Sequence, residues 1–325
     1  MTEVEWKVST AGSPHAVILG MSGQGKSRTM KKVHREFNGH AGSVVLDFHG
    51  DLTESMHSYS KVINVATEGL PFNPFMPSSS DRSSVKQFCL DFGDILQSVC
   101  GLGDIQKVLV YKALLAAFES SGFIDSKSAD IPTMGDFVSQ LELLENSNKR
   151  VHASARIIGI TEFDLFRNAP NLDFEKLEDA FVIDLSDLGS EELKRVCAGI
   201  VLRKIYSLMH SRGQRTEIDF ALFVDEAHLL SKDSTVGKLF KEARKFGISV
   251  ILASQSIGDF HEDVRDNAGL KMVFRMNNPT SAASARFLGG GEIKKITTTL
   301  ENLDVGECLV RLRDQKNVTR IKITD

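Results

Sequence analysis

The stretch AVILGMSGQGKSRTMKKV, residues 16–33, decides how the rest of the chain reads. Its first four residues, Ala16, Val17, Ile18 and Leu19, form a continuous apolar run of buried-strand type that stops at Gly20. A loop rich in Gly and Ser follows, and from Lys26 onward neither Gly nor Pro occurs until Gly39, which predicts a helix over about 26–38. The pattern is G-x-x-x-x-G-K-[ST] in its proper setting of strand, loop and helix. Gly23 and Gly25 let backbone amides turn toward a phosphate chain, and the helix start adds the positive end of its dipole. Ser22, Gly23, Gln24, Gly25, Lys26, Ser27 and Arg28 are therefore the expected ATP-binding residues. In that pattern Lys26 reaches the β and γ phosphates and the Ser27 hydroxyl holds Mg²⁺.

The 325 residues suffice for one large α/β domain with an insertion, or for two modest domains, and a hydrophobic fraction of 42% supports a sizeable core. A formal net charge of −4 excludes a surface coated in positive charge. Contact with nucleic acid would have to come from a local loop or from the inside of an assembly. Cys89, Cys100, Cys197 and Cys308 are scattered with no C-x-x-C pair, which argues against zinc and fits a reducing cytosol. No apolar run approaches about eighteen residues, and the N-terminus has acids and no apolar core. Neither a membrane span nor a signal peptide is expected, and the expected location is cytoplasmic.

Beyond the first helix, Asn38, Gly39 and Gly42 make a turn, and SVVLDF, residues 43–48, reads as a second buried strand. It runs into Asp47-Phe48-His49-Gly50-Asp51. Acids at the carboxyl end of a strand lie where α/β sheets place ligands, or they make a solvated strand-ending turn. Residues 61–65 could form a third strand. The three prolines of PFNPFMP, 71–77, mark a boundary.

From 80 to about 169 the apolar residues recur at helical spacing, as in Val85, Phe88, Cys89, Phe92, Ile95 and Leu96, with breaks at 101–103 and 120–122. This segment reads as an all-helical insertion, with residues 1–79 and 170–325 forming the α/β core. Its end carries Lys149, Arg150, His152 and Arg156, either a solvated helix face or a nucleic-acid contact. The α/β pattern resumes with a strand at 180–185 and a helix started by Ser190, Glu191 and Glu192. The run FALFV, 220–224, is of central-strand type and ends in Asp225-Glu226. A helix over about 234–246 leads to a strand at 248–253 that closes in Ser254-Gln255-Ser256, and strands near 271–276, 306–312 and 317–323 finish the chain.

An apolar strand followed by Asp225-Glu226 supplies the second half of a nucleotide site. Asp225 would act through the Mg²⁺ shell, and Glu226 would polarise an attacking water. Gln255, ending the neighbouring strand, is placed to sense the γ-phosphate or orient that water.

The blocks LGMSGQGKS, VVLDFHGDL, FNPF, LFVDEAHLL and ARKFGISVILASQS, taken in this order, resemble the HerA/FtsK superfamily of hexameric DNA-pumping ATPases, nearer to the HerA and type IV secretion branch than to FtsK. The resemblance implies a RecA-like P-loop NTPase core with a mainly parallel sheet, a homo-hexameric ring, ATP hydrolysed with Mg²⁺ between subunits, and translocation of double-stranded DNA. It also implies that Arg244 is the first candidate for an arginine finger reaching a neighbour's ATP, with Arg275 second. HerA relatives carry a β-barrel before the P-loop, whereas nineteen residues precede Gly20 here. A partner protein is therefore expected to supply that part or an effector activity. DNA contact is expected at residues 256–265 or 149–156, where cations can track phosphates. Two other readings stay open: an ATP-dependent assembly switch or scaffold for an effector such as a nuclease, and a small-molecule kinase that would leave Arg244 and Gln255 unexplained.

Overall fold

Strand β1, Ala16–Leu19, is buried at all four side chains and lies inside a nine-stranded sheet. A computed structural model describes residues 4–9, 12–72, 75–126, 130–147, 152–162, 177–231, 233–258 and 260–324. After β1 come α1 (Lys26–Phe37), β2 (Gly42–Asp47), α2 (Thr53–Met56), β3 (Lys61–Asn64) and α3 (Val65–Glu68). Four helices follow: α4 (Arg82–Cys100), α5 (Asp104–Ser120), α6 (Met134–Ser147) and α7 (Ser154–Thr161). The chain continues through β4 (Ala180–Asp184), α8 (Glu191–Ser211), β5 (Arg215–Val224), α9 (Ser234–Glu242), β6 (Phe246–Ser254), α10 (Glu262–Asn267) and β7 (Leu270–Phe274). It ends with α11 (Thr280–Leu288), α12 (Ile293–Glu301), β8 (Glu307–Leu312) and β9 (Thr319–Lys322).

The sheet order is β3-β4-β2-β5-β6-β1-β7-β8-β9. Strands β4, β2, β5, β6, β1 and β7 pair in parallel, and β8 and β9 add an antiparallel edge. Parallel strands covered on both faces read as continuous apolar runs, which is why AVIL and FALFV were visible as strands. Chain contacts divide the molecule into two compact units, one of Met1–Val62, Asp173–Ser186 and Leu208–Asp325, the other of Ile63–Leu172 and Asp187–Ser207.

In the first unit Ile18, Met30, Val45, Val182, Phe223 and Ile251 belong to one buried cluster. Two histidines, His15 and His34, are buried in this unit rather than set on its surface. His34 on α1 packs edge-on against Phe223 at 5.0 Å and shares a hydrogen bond with Ser43 Oγ at 2.8 Å. Burial lowers its pKa to about 4, so the ring is neutral and serves as a packed aromatic.

The second unit has an aromatic core: Phe92 meets Phe75 at 5.4 Å and Phe137 at 6.2 Å, and Phe88 meets Phe118 at 5.7 Å. Asp81 caps α4 by accepting from the N–H groups of Ser83 and Ser84, each at 3.0 Å. The buried carboxylate of Glu145 accepts from Ala153 N–H and Ser154 N–H at the start of α7. Arg156 points its guanidinium toward the Gly101 carbonyl at 3.5 Å, while Lys149 and Arg150 lie outside the described residues, as do Asn73 and Pro74 of the FNPF block and Asp259.

The segment expected as a loop over 256–265 is partly helical. Helix α10 begins at Glu262, and His261 Nδ1 accepts from Asp263 N–H at 3.3 Å as its cap. The expected helix over 234–246 ends as α9 at Glu242, and a single 3₁₀ turn, Ala243–Lys245, hands the chain to β6. Among the described residues no helix is long and apolar enough to cross a membrane.

Candidate functional site

Parallel strands that start together also end together, and here their ends carry the polar chemistry. The register pairs Leu19 with Ser254 and Leu46 with Val224, so the residues after β1, β2, β5 and β6 emerge along one edge. Gly20 N–H donates to the Ser254 carbonyl at 3.2 Å and Met21 N–H to the Arg275 carbonyl at 3.2 Å, which pins the start of the loop between β6 and β7. Gly20 is required there, since a Cβ would come within 2.7 Å of Phe274 Cβ. Gly25 has φ 115°, a backbone that L side chains rarely adopt, and its position N-caps α1. Thr29 N–H returns to the Gly25 carbonyl at 3.0 Å, closing the first helical turn.

Lys26 is 6% exposed, and its ammonium donates to the carbonyls of Gly20 at 2.9 Å and Met21 at 3.2 Å. The loop thus folds around the ammonium. Ser27 is half-buried on the first turn of α1, Ser22 and Arg28 are exposed, and the Gln24 carbonyl accepts from Gly306 N–H at 3.1 Å.

Asp225 follows β5 directly, is 2% exposed and is tied to β2 through its N–H on the Leu46 carbonyl at 3.2 Å. Burial raises its pKa to about 6, the neighbouring charges of Glu226 and Asp47 add to that rise, and Lys26 opposes it. Glu226 sits in the left-handed region at φ 45°, ψ 44°. A non-glycine there costs of order 1–3 kcal/mol and persists only where surrounding contacts enforce it. Those contacts are Leu229 N–H on the Glu226 carbonyl at 2.9 Å and two side-chain partners on Oε2: His228 Nδ1 at 3.1 Å and Gln255 Nε2 at 3.5 Å. The His228 contact first, and then the charge of Lys26, lower the Glu226 pKa and keep it ionised.

Of the acids in the turn after β2, Asp51 is exposed and Asp47 is not solvated. It is fully buried, and its carboxylate accepts from the N–H groups of Gly50 at 2.9 Å, Leu52 at 2.9 Å and Thr53 at 2.7 Å and from Thr53 Oγ1 at 2.9 Å. It is the organiser of the turn after β2, and its charge is felt at Asp225.

The structure therefore brings Lys26, Ser27, Asp225, Glu226 and Gln255 to one sheet edge. It does not bring Arg244 there: that residue precedes β6, at the opposite end of the parallel strands. Arg275 follows β7 on the same edge as the loop, with its side chain exposed. Sequence reasoning missed His228, although its place two residues after Glu226 was a usable signal once the 3₁₀ turn Ala227–Leu230 folds the two together.

Residues 2–97 match the family described as "Helicase HerA, central domain", and residues 189–321 match "Type IV secretion-system coupling protein DNA-binding domain". The DNA double-strand break repair helicase HerA of Sulfurisphaera tokodaii is 22% identical over 91% of the chain and 62% of its own length. The DNA import protein CedB of Sulfolobus acidocaldarius is 24% identical over 98% of the chain and 53% of its own length, so the chain spans little more than half of these relatives. Among solved structures, VirB4 of Thermoanaerobacter pseudethanolicus superposes with a TM-score of 0.80 at 19% identity, covering 99% of this chain and 93% of that one. The plasmid coupling protein TrwB in complex with ADP and Mg²⁺ superposes with a TM-score of 0.67 at 15% identity, covering 95% of this chain and 85% of that one. The sheet order and the loop at its edge are those of a RecA-like P-loop NTPase fold, and the two matched stretches make the chain similar to HerA helicases and to type IV coupling proteins.

Proposed function

We propose that this chain is the motor part of a ring-forming ATPase that couples ATP hydrolysis to movement of double-stranded DNA, working in the cytoplasm with a partner protein. The observation that carries the reading is the convergence of Lys26 with Asp225, Glu226 and Gln255 at the carboxyl edge of one parallel sheet. In the same reading residues 80–169 are an insertion into a core made of 1–79 and 170–325.

The residues fit ATP and Mg²⁺. Gly25 at φ 115° opens the loop for backbone amides, and Lys26 Nζ already lies against the loop carbonyls it would leave for the β and γ phosphates. A buried carboxylate whose pKa is pushed up beside Glu226 and Asp47 suits a place where a cation is held. Ser27 would hold Mg²⁺ directly and Asp225 through its water shell, and the bound ion would offset charge on the β and γ oxygens. Glu226, ionised and oriented by His228, would take up proton density from the attacking water. Gln255, on the same carboxylate oxygen, would register whether the γ-phosphate is present. Arg244 cannot serve the P-loop of its own chain, so a finger role for it requires a neighbour; the names of the HerA relatives and of the coupling protein TrwB support a DNA-handling assembly.

The test is the ATPase rate with and without duplex DNA over a salt series, beside images of the particle in ATP and Mg²⁺. DNA stimulation that fades as salt rises, with six-fold rings, is the expected result. A rate indifferent to DNA would replace the motor by an assembly switch.

The pKa of Asp225 makes a further prediction. Its folded value lies above its ordinary 3.8, so the folded chain holds a proton there up to about pH 6 that the unfolded chain has already released. This group therefore favours the folded state most at low pH and withdraws that contribution as pH rises through 6. For hydrolysis the sign is opposite, because only the carboxylate assists the metal. ATPase activity at limiting Mg²⁺ should fall below about pH 6 as one proton binds, and raising Mg²⁺ should move the midpoint to lower pH. A midpoint that ignores Mg²⁺ would remove Asp225 from the metal shell.

A further inference from the structure

At the amino-terminal end of the same strands lies a cavity of about 790 Å³, within the range of small-molecule sites. Its floor is made of buried groups, Ser13, His15 and Phe240. The His15 ring lies 5.0 Å from Phe240, and its Nδ1 accepts from Val250 N–H at 3.1 Å. Burial, and then the charge of Arg244, lower its pKa to about 3, so the floor carries no charge of its own.

The rim is strongly cationic. Arg215, Lys241, Arg244, Lys245 and Arg313 all line the cavity, and among the described residues no carboxylate does. Arg244 donates to the Gly12 carbonyl at 2.5 Å, and Arg215 shares Asp219 with Arg212, at 3.5 and 2.8 Å. Lys241, Lys245 and Arg313 make no ion pair with any described residue. In a chain of net charge −4, five cations around one recess make a local field that attracts a compact polyanion. The nine residues of β6 separate this end from the P-loop end by roughly 25 Å at about 3.3 Å per residue, so one triphosphate cannot occupy both.

We propose that this cavity is a second polyphosphate-binding site, taking a linear run of phosphate groups, either free or as the tail of a nucleotide. A recess with a cationic rim and an uncharged floor admits such a chain, whereas a DNA duplex would touch only the rim. None of its lining residues belongs to the P-loop, so the proposal does not depend on how that loop is read.

The experiment uses the full chain with Lys26→Ala, which weakens phosphate binding at the P-loop, titrated calorimetrically with inorganic tripolyphosphate at low salt. One saturable site per chain is expected. The double variant Lys241→Ala/Lys245→Ala in that background should weaken it by about tenfold or more, as should Arg313→Glu, with melting curves checking that each variant folds. Tripolyphosphate should also protect Lys241 and Lys245 from amine acylation, read by mass spectrometry. No saturable binding, binding unchanged in the variants, or protection by duplex DNA but not by tripolyphosphate would each overturn the proposal. ATP binding by the chain with Lys26 intact is a separate measurement, so failure here leaves the P-loop reading where it stands.

Discussion

Lys26→Ala is expected to abolish ATP hydrolysis and to weaken ATP binding by about 10- to 100-fold, the worth of a charge-assisted hydrogen bond at roughly 1.5–3 kcal/mol. Three effects act together. The buried ammonium that would meet the β and γ phosphates is gone. The Gly20 and Met21 carbonyls lose their donor, so the loop is no longer held in shape before nucleotide arrives. Lys26 also lowers the pKa of both Asp225 and Glu226, and without it both carboxylates shift toward protonation at the moment they are needed. Lys26→Arg should not rescue, because a planar guanidinium does not fit a slot built for a compact ammonium that is 6% exposed. The measurement is thermal stabilisation by ATP and Mg²⁺ beside steady-state phosphate release. An Ala variant with wild-type stabilisation by ATP would mean that the triphosphate does not bind at this loop.

What could be read from the sequence follows from how each element earns its stability. AVIL, SVVLD and FALFV are buried on both faces, so composition alone marks them as strands, and the polar groups that follow each run had to fall on one edge once the sheet was parallel. The reading failed where side chains settle matters that composition cannot. Helix α12 contains Thr297, Thr298 and Thr299 in a row, a poor helical signal. It forms because Ile296 and Leu300 are buried on one face, while the three hydroxyls satisfy themselves by bonding back four residues, at 2.8, 3.0 and 2.8 Å. Helix α11 is rich in Ala and Ser and shows little amphipathic pattern, and it too passed unread. Strand β5 begins at Arg215, five residues before the apolar run, because RTEID is its solvated extension. At the site, the residue types of the P-loop and of 225–226 were legible, but the left-handed backbone of Glu226, the His228 contact and the buried turn of Asp47 were not. Each is a tertiary arrangement in which a common residue acquires a partner from outside its own motif.

Glu226→Gln is expected to separate binding from turnover. The amide keeps the shape of the carboxyl and can still meet Gln255 and His228, so the left-handed turn should hold and stability should change little. Removing a negative charge near the triphosphate leaves ATP affinity unchanged or higher. An amide cannot take up a proton at neutral pH, so turnover should drop by about 10²- to 10⁴-fold, the usual contribution of a positioned general base. A second signature comes from the neighbour. The Glu226 charge helps raise the Asp225 pKa to about 6, and its loss should bring Asp225 back toward its ordinary value. The acid limb of the residual activity should therefore move to lower pH than in the unaltered chain, a shift that a merely unfolded or misassembled variant would not produce. Single-turnover hydrolysis and equilibrium ATP binding over a pH series measure both effects. Turnover within about threefold of the unaltered chain, well short of a general base's contribution, would strip Glu226 of the water-activating role. Slow turnover with an unmoved acid limb would instead mean that Asp225 and Glu226 are not electrostatically coupled in the working site.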